Sequence, residues 1–593
     1  MKWLSISGYT IPIYLSLAVT ITLAQSPPPE VDIPNITPNT TNPENTFPLP
    51  ETPPPSPLQE NFPTPPHSPS PEDTTTARET LPVTQIEIIG FTVLEPEITQ
   101  LFREFTNSQG LQIFLEVTPF CHTRCGLRAI INQEGITFDE LIQLRTAITQ
   151  LYSNNNYVTS GAFVPNNQDL TQNTAYIQIV EGELEEIVIA GLHRLQEGYV
   201  RSRLQRAVST PLNQQSLAEA LQLLQLNPLL QRVNAELTLG SAPGRSKLLL
   251  ELTEAPAFHA GVSFANNRSP SIGALQTSLF VTHDNLFGWG DRLSAEYGFV
   301  EGPDVYNFSY AIPVNALDGT LSFRFSSNDS EIVEDDFADL GINSEAWTFA
   351  TNFRQPLIKT PTTELAVGLG LDLRRSQTFI LDDEPFSFSV GPEDGQSQVT
   401  IIRFSQDWFN RSQNRVLAAR SQFSFGIDAF DATVNDTGTD GEFFAWLGQF
   451  QWVEQLPSRI LLVTRLSAQL TPDSLLSLEQ FSIGGGSTVR GYRENQLVGD
   501  NGILGAIELR IPVTSNPNKL QLIPFFEVGT VWNNQQVDPD PGTIASVGLG
   551  LRSEVFSGLN VSVDYGIPLI SVDNQGYSLQ ENGFHFAVTY QAF

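Results

Sequence analysis

From Ala257 to Phe593 apolar and polar residues alternate in segments of ten or so, broken by Gly, Asn, Asp and Pro. "LLVTRLSAQL" (461–470) puts Leu462, Leu466, Ala468 and Leu470 on one face and Val463, Arg465, Ser467 and Gln469 on the other. "GILGAIELRI" sets Ile503, Ile507, Leu509 and Ile511 against Glu508 and Arg510. "LSFRFSS" opposes Phe323 and Phe325 to Ser322, Arg324 and Ser326, and "LNVSVDY" opposes Val561, Val563 and Tyr565 to Asn560, Ser562 and Asp564. Period two predicts strands with one wet and one apolar face. A soluble sandwich gives the same alternation, so the count decides. Sixteen candidate strands share 337 residues, and a membrane strand takes about 9–11 residues. What remains suits alternating short turns and long connections. An even number of strands with Phe-rich apolar faces predicts a 16-stranded antiparallel transmembrane β-barrel over residues 256–593, whose closure pairs every backbone group in lipid. The chain ends "FHFAVTYQAF", where Phe584, Phe586, Val588 and Tyr590 are out of phase with Phe593. That offset predicts a bulge near the end.

Before the barrel, two segments share one grammar. The first (81–182) has a strand at Thr84–Gly90, a polar helix near Glu95–Phe102, a helix over Phe138–Tyr152, and strands in "YVTSGAFVP" and "AYIQIVEG". The second (183–255) opens with "LEEIVIAG", continues with helices near Leu195–Val208 and Gln215–Leu226, and closes with "RVNAELTLG" and "SKLLLELTE". Both read β-α-α-β-β, with Gly90 and Gly191 in equivalent turns, which predicts an internal duplication of small α+β modules. Ahead of them Pro27–Thr80 holds 17 prolines in 54 residues. Such a segment buries no core, and at about 3.1 Å per residue it reaches roughly 170 Å. Residues 25–80 are thus a linker. Residues 1–24 read as an export signal: Lys2 is the positive start, Ile11–Leu23 the apolar run, and Ala24 precedes the cut, with Thr22 at the −3 position.

Charge narrows the function. Asp and Glu total 65 against 31 Lys and Arg, a net charge of −34, which argues against nucleic acid as a partner. Beyond the N-terminus no run of 18 apolar residues occurs, which excludes helical membrane spans. Only Lys2, Lys247, Lys359 and Lys519 are lysines, leaving 27 arginines. Arg292, Arg324, Arg420, Arg465, Arg510 and Arg552 fall on polar strand faces. They predict a hydrated, partly cationic lumen in which some pair with Glu296, Glu508 or Asp564. In an exported chain the two cysteines of "CHTRC", Cys121 and Cys125, read as a disulfide. A zinc site would need two further ligands where only His122 is near. The six histidines are dispersed and no catalytic, metal or phosphate-binding constellation stands out, so neither an enzyme nor a cofactor is expected.

The modules resemble POTRA domains, and "LQLLQLNPLLQRVNAELTLG" resembles the second such module of two-partner secretion transporters. The long connection between the eleventh and twelfth strands strengthens the likeness with "IGGGSTVRGYRENQ" (483–496). The haemolysin-activator and filamentous-haemagglutinin-transporter family carries a Val-Arg-Gly-Tyr/Phe tip on a loop folded into the barrel, matched here by Val489, Arg490, Gly491 and Tyr492. The family pairs that arginine with an acid in a Phe-x-Asp-x-Gly strand. Here Phe525, Glu527 and Gly529 stand in the motif, with Glu replacing Asp. An arginine inside a barrel needs a carboxylate, and its planar fork suits two-pronged pairing. The resemblance covers roughly residues 80–593. It implies an inward-folded loop at 472–500 and an outer-membrane location with periplasmic modules. It further implies a monomer that captures an unfolded exoprotein, bearing an N-terminal secretion domain, and passes it to the cell surface. The alternative within the superfamily is a barrel-insertion factor, which typically carries a longer array of modules.

Overall fold

A computed structural model describes residues 80–592 except 82, 109–114, 118–124, 131–135, 167, 169–172, 301–303, 335–336, 382, 437, 518 and 573–575. The export signal, the linker up to residue 79, the Cys121–Cys125 pairing and Phe593 lie outside the described residues.

The first module runs β1 (Gln85–Phe91), α1 (Glu95–Ser108), β2 (Leu115–Val117), β3 (Cys125–Ile130), α2 (Phe138–Asn154), β4 (Gly161–Phe163) and β5 (Thr174–Val180). Its sheet order is β2-β3-β1-β5-β4, with β1 parallel to β5 and antiparallel to β3. The β-α-α-β-β reading therefore lacked β2 and β3, which are three and six residues long. Helix α1 also continues six residues past Phe102. A capping box starts α2: Glu140 N–H donates to Thr137 Oγ1, and Thr137 N–H donates to the Glu140 carboxylate. Leu141, Leu144, Ile148 and Tyr152 then bury against Ile86, Ile88 and Ile177.

The second module is β6 (Glu183–Ala190), α3 (Glu197–Gln205), α4 (Gln214–Gln225), β7 (Leu230–Leu239) and β8 (Arg245–Glu254). Central β8 runs parallel to β6 and antiparallel to β7. Its Leu248, Leu250 and Leu252 pack on Val200, Leu204, Leu217 and Leu221.

The two modules share one construction at the turn after their first strand. Gly90 and Gly191 both have left-handed φ, +95° and +88°, and a Cβ there would strike the carbonyls of Ile179 and Leu252 respectively. Two residues beyond each carbonyl stands a carboxylate that gathers the turn's amides. Glu181 accepts from the N–H groups of Thr92 and Val93, and Glu254 from those of His193, Arg194 and Leu195. Only glycine fits so near the neighbouring strand.

The barrel comprises β9 (Phe258–Ala265), β10 (Gln276–Asp284), β11 (Arg292–Val300), β12 (Val305–Pro313), β13 (Thr320–Glu331), β14 (Asn343–Lys359), β15 (Thr363–Ile380) and β16 (Gln396–Arg411). It continues with β17 (Arg415–Ile427), β18 (Phe444–Gln455), β19 (Leu461–Leu470), β20 (Asn501–Pro512), β21 (Gln521–Trp532), β22 (Thr543–Phe556), β23 (Leu559–Pro568) and β24 (Phe584–Gln591). Neighbours are antiparallel, and β24 closes on β9. This is the 16-strand antiparallel barrel. Outward positions are exposed and apolar, among them Leu466, Leu470, Ile503, Ile507 and Phe526, so the outer surface is what lipid requires.

The last strand differs from expectation. Phe584↔Tyr565 through Tyr590↔Leu559 pair without a register shift. Gln591 and Ala592 N–H extend the ladder to the Gly558 and Ala260 carbonyls. Within 584–592 the bulge is absent, and exposed Phe584 and Tyr590 mark the outward face.

Candidate functional site

The connection between β19 and β20 enters the lumen as a strip with its own two-stranded ladder, Phe481–Ile483 against Leu497–Gly499. Between those strands lies the tip. Arg490 there is 2% exposed, and its position follows from strand period and register. Glu508, Glu527 and Asp564 occupy inward positions near the middle of β20, β21 and β23, so three carboxylates converge at mid-wall.

Glu527 receives Arg490 from two sides. Its Oε2 accepts the backbone N–H at 2.7 Å, and its Oε1 accepts Nε at 3.0 Å and Nη2 at 2.6 Å. The longer glutamate thus reaches the side and the backbone of the arginine together. Nη1 donates to Asp564 Oδ1 at 2.9 Å and Nη2 to Glu508 Oε2 at 3.3 Å. Glu508 is held separately by Arg510, whose Nε and Nη2 donate to its Oε1 at 2.8 and 2.7 Å. Arg465 lies 3.7 Å from both Glu508 and Glu527. Counting Arg552 close by, four guanidiniums surround three carboxylates, so each buried acid has a cation near it, which is the condition for burying charge.

The other residues of the two motifs hold the tip in shape. Phe525 lies under the Arg490 guanidinium, 3.5 Å from its carbon to the ring centroid. Gly529, two residues beyond Glu527 on the same face, leaves the space that Ile483 of the loop fills. Gly491 has φ +100° and abuts the backbone of Gly566, and its N–H donates to His585 Nε2 at 3.1 Å. The Tyr492 hydroxyl sits 2.8 Å from the carbonyls of Ala545 and Ile570, sharing one proton between them. Val489 and Tyr492 bury with Phe481, Ile483, Leu497, Val531 and Ile544.

The limb leading to the tip is attached elsewhere on the wall, with charge reversed. Glu479 of the loop meets Arg374 of β15 at 2.5 Å and Arg403 of β16 at 3.0 Å. Leu475, Leu476 and Leu478 bury beside Val399, Ile401 and Phe443. Buried Asp500 ties the base, accepting from the N–H groups of Leu475 and Asn534. Just past the tip Arg493 reaches Glu334 at 3.1 Å and Glu581 at 3.3 Å.

All seven residues of the tip and strand motifs thus meet at one place. Sequence reasoning did not single out Glu479, Arg493, Asp500 or His585, since nothing local marks them. Of the arginines on polar strand faces, Arg420 pairs with Asp407, Arg292 with Asp284 and, in the tip cluster, Arg510 with Glu508. Glu296 instead accepts from Asn307. Arg324 stays exposed on its inward face without an ion pair among the described residues, so the lumen keeps some free positive charge.

Known proteins resemble this chain in sequence and in fold. The sequence model of a family described as "Haemolysin secretion/activation protein ShlB/FhaC/HecB" matches residues 244–553. A second, "POTRA domain, ShlB-type", matches residues 127–182. The outer membrane transporter CdiB of Dickeya dadantii (strain 3937) is 23% identical over 439 residues, covering 71% of this chain and 75% of that protein. The heme/hemopexin transporter protein HuxB of Haemophilus influenzae (strain 86-028NP) is 22% identical over 484 residues, covering 76% and 80%. Among solved structures, CdiB from Escherichia coli aligns with a TM-score of 0.62 at 21% identity, covering 90% of this chain and 94% of that one.

Proposed function

Because this chain belongs to the haemolysin secretion/activation protein family (ShlB/FhaC/HecB), we propose that its inward loop is the moving part of an exoprotein channel. The chain is an outer-membrane two-partner secretion transporter with periplasmic POTRA modules, and it is not an enzyme. At rest Arg490 seats the loop tip on Glu527, and the tip leaves that seat as the partner passes. Residues 81–182 and 183–255 are on this reading the periplasmic modules, 256–593 the barrel and 472–500 the loop. A single transporter receives the exoprotein unfolded, through an N-terminal secretion domain. That domain adds a strand to a module sheet, for which β7 (Leu230–Leu239), paired on one side only among the described residues, offers a ten-residue edge.

The observation that carries the reading is the burial of Arg490 among Glu508, Glu527 and Asp564 at mid-wall. A loop placed there obstructs the lumen and can be released, because its tip is held by directional polar contacts at identifiable points. The test is conductance of the purified full chain in planar bilayers. Fluctuating channels are expected, with Arg490→Ala raising the open fraction. A barrel that is folded by heat-modifiable gel migration, yet silent with and without Arg490→Ala, would overturn the proposal.

A further inference from the structure

Two arginines face the same two oxygens. Arg490 Nη2 contacts Glu527 Oε1 at 2.6 Å and Glu508 Oε2 at 3.3 Å. Arg465 Nη2, from β19, lies 3.7 Å from each of those same atoms. That is within ion-pair range but beyond a hydrogen bond. The Arg465 side chain is 40% exposed and forms no hydrogen bond among the described residues, so it is free to shift about 1 Å toward the carboxylates.

We propose that Arg465 is a standby counter-ion which moves onto Glu527 and Glu508 when Arg490 withdraws, and so makes the loop tip releasable. The proposal rests on the reading of the loop as a seated, moving element. Without a substitute, withdrawal would strand Glu527 buried and unpaired, since the tip takes away both the guanidinium and the backbone N–H that satisfy it. Arg510 does not fill that role, because it is already committed to the other oxygen of Glu508. Among the described residues other than Arg490, Arg465 alone lies within 4 Å of both vacated oxygens, and its side chain is 40% exposed.

The opposite attachment of the loop is built differently. Glu479 is gripped by Arg374 and Arg403, Arg374 Nη1 also donates to the Leu478 carbonyl, and Gln469 donates to the Glu479 carbonyl. The buried leucines around it add apolar contact. The limb therefore stays docked while the tip, with its exchangeable counter-ion, is the end that leaves.

A purely structural Arg465 and a standby Arg465 predict opposite signs. If Arg465 merely helps to hold the cluster together, removing it loosens the tip. If it competes with Arg490, removing it tightens the seat and penalises withdrawal. The measurement is thiol labelling at Val489→Cys, a fully buried tip position, in the full-length protein. A maleimide is the probe, with the tip peptide read by mass spectrometry so that the native cysteines remain. In that background Arg465→Gln is expected to slow labelling roughly threefold to fivefold, the scale of one screened charge contact, and to lower export in parallel. Arg465→Lys, keeping the charge, should label near the parent rate. Unchanged or faster labelling in Arg465→Gln would overturn the proposal, and Arg465→Met provides the same comparison should the glutamine variant fail to assemble. Arg490→Ala is the separate control. If it does not speed labelling, the seated-tip reading itself fails, whatever Arg465 does.

Discussion

The guanidinium of Arg490 lies over the ring of Phe525, 3.5 Å from the centroid, while Glu527, two residues on, takes its edge. One strand face therefore supplies both the surface the arginine rests on and the charge that orients it. A cation over an aromatic face gains roughly 0.5–2 kcal/mol depending on desolvation. The ring fits because β22 has Gly548 opposite, where a Cβ would strike it.

Phe525→Leu should therefore leave the barrel assembled but weaken the seat. Export is expected to drop severalfold, and cleavage of the loop by protease to rise. Gly548→Ala should act in the same direction by displacing the ring. Limited proteolysis of the two variants, at matched barrel amounts, checks this. Loops as resistant as the parent's would show that the stacking contributes nothing.

Gly491→Ala should be more damaging than its size suggests. Its φ of +100° is unfavourable for a side chain, and a Cβ would press on the backbone of Gly566. Adopting the left-handed region costs a non-glycine residue roughly 1–2 kcal/mol, before the collision is counted. Relief requires lifting the tip, which also breaks the N–H bond to His585. Export is expected to fall as far as with Phe525→Leu or further, with unchanged heat-modifiable migration of the barrel.

Much of this was legible in the sequence, and the limits were physical. Strand alternation depends on the local chain alone, so the inward placement of Arg465 and Glu508 and the outward placement of Leu466 and Ile507 could be read directly. Convergence on Arg490 is another matter. Glu508, Glu527 and Asp564 lie 18, 37 and 74 residues away, and the heights at which they meet depend on registers that alternation does not set. The tip and strand motifs named Arg490 and Glu527 as partners by resemblance. The duties of Phe525 and Gly529 became readable only with the loop lying over them.

The second module carries a pH dependence of its own. Burial would raise the Glu254 carboxyl, but the N–H groups of Leu195, Arg194 and His193 and the Arg194 side chain outweigh it and hold it below the usual range. A lowered folded-state value means that the stabilisation is present above the ordinary carboxylate pKa, about 4.3. It is lost as pH falls through the lowered value. Glu254→Gln should thus speed amide exchange across residues 192–196 at neutral pH, by roughly three- to tenfold for about 1 kcal/mol of lost hydrogen bonding. Toward pH 3 the difference between variant and parent should shrink. A gap that is constant over that range would contradict the assignment.

The central claim, that the tip is seated through a direct Arg490–Glu527 pair, is tested most directly by a double-mutant cycle on export. Secretion of the cognate exoprotein is measured for Arg490→Ala, Glu527→Ala and the double variant, with surface barrel amounts matched. Each single change breaks a buried ion pair and removes the principal contact of the seat, and export should collapse in both. Arg490→Lys should restore it only in part, since an ammonium lacks the fork, and Glu527→Asp should be better tolerated than Glu527→Ala. The account predicts that the double variant loses clearly less than the sum of the two single losses, as coupled neighbours do. Strictly additive losses would mean that Arg490 and Glu527 act independently, and the seated tip would have to be abandoned.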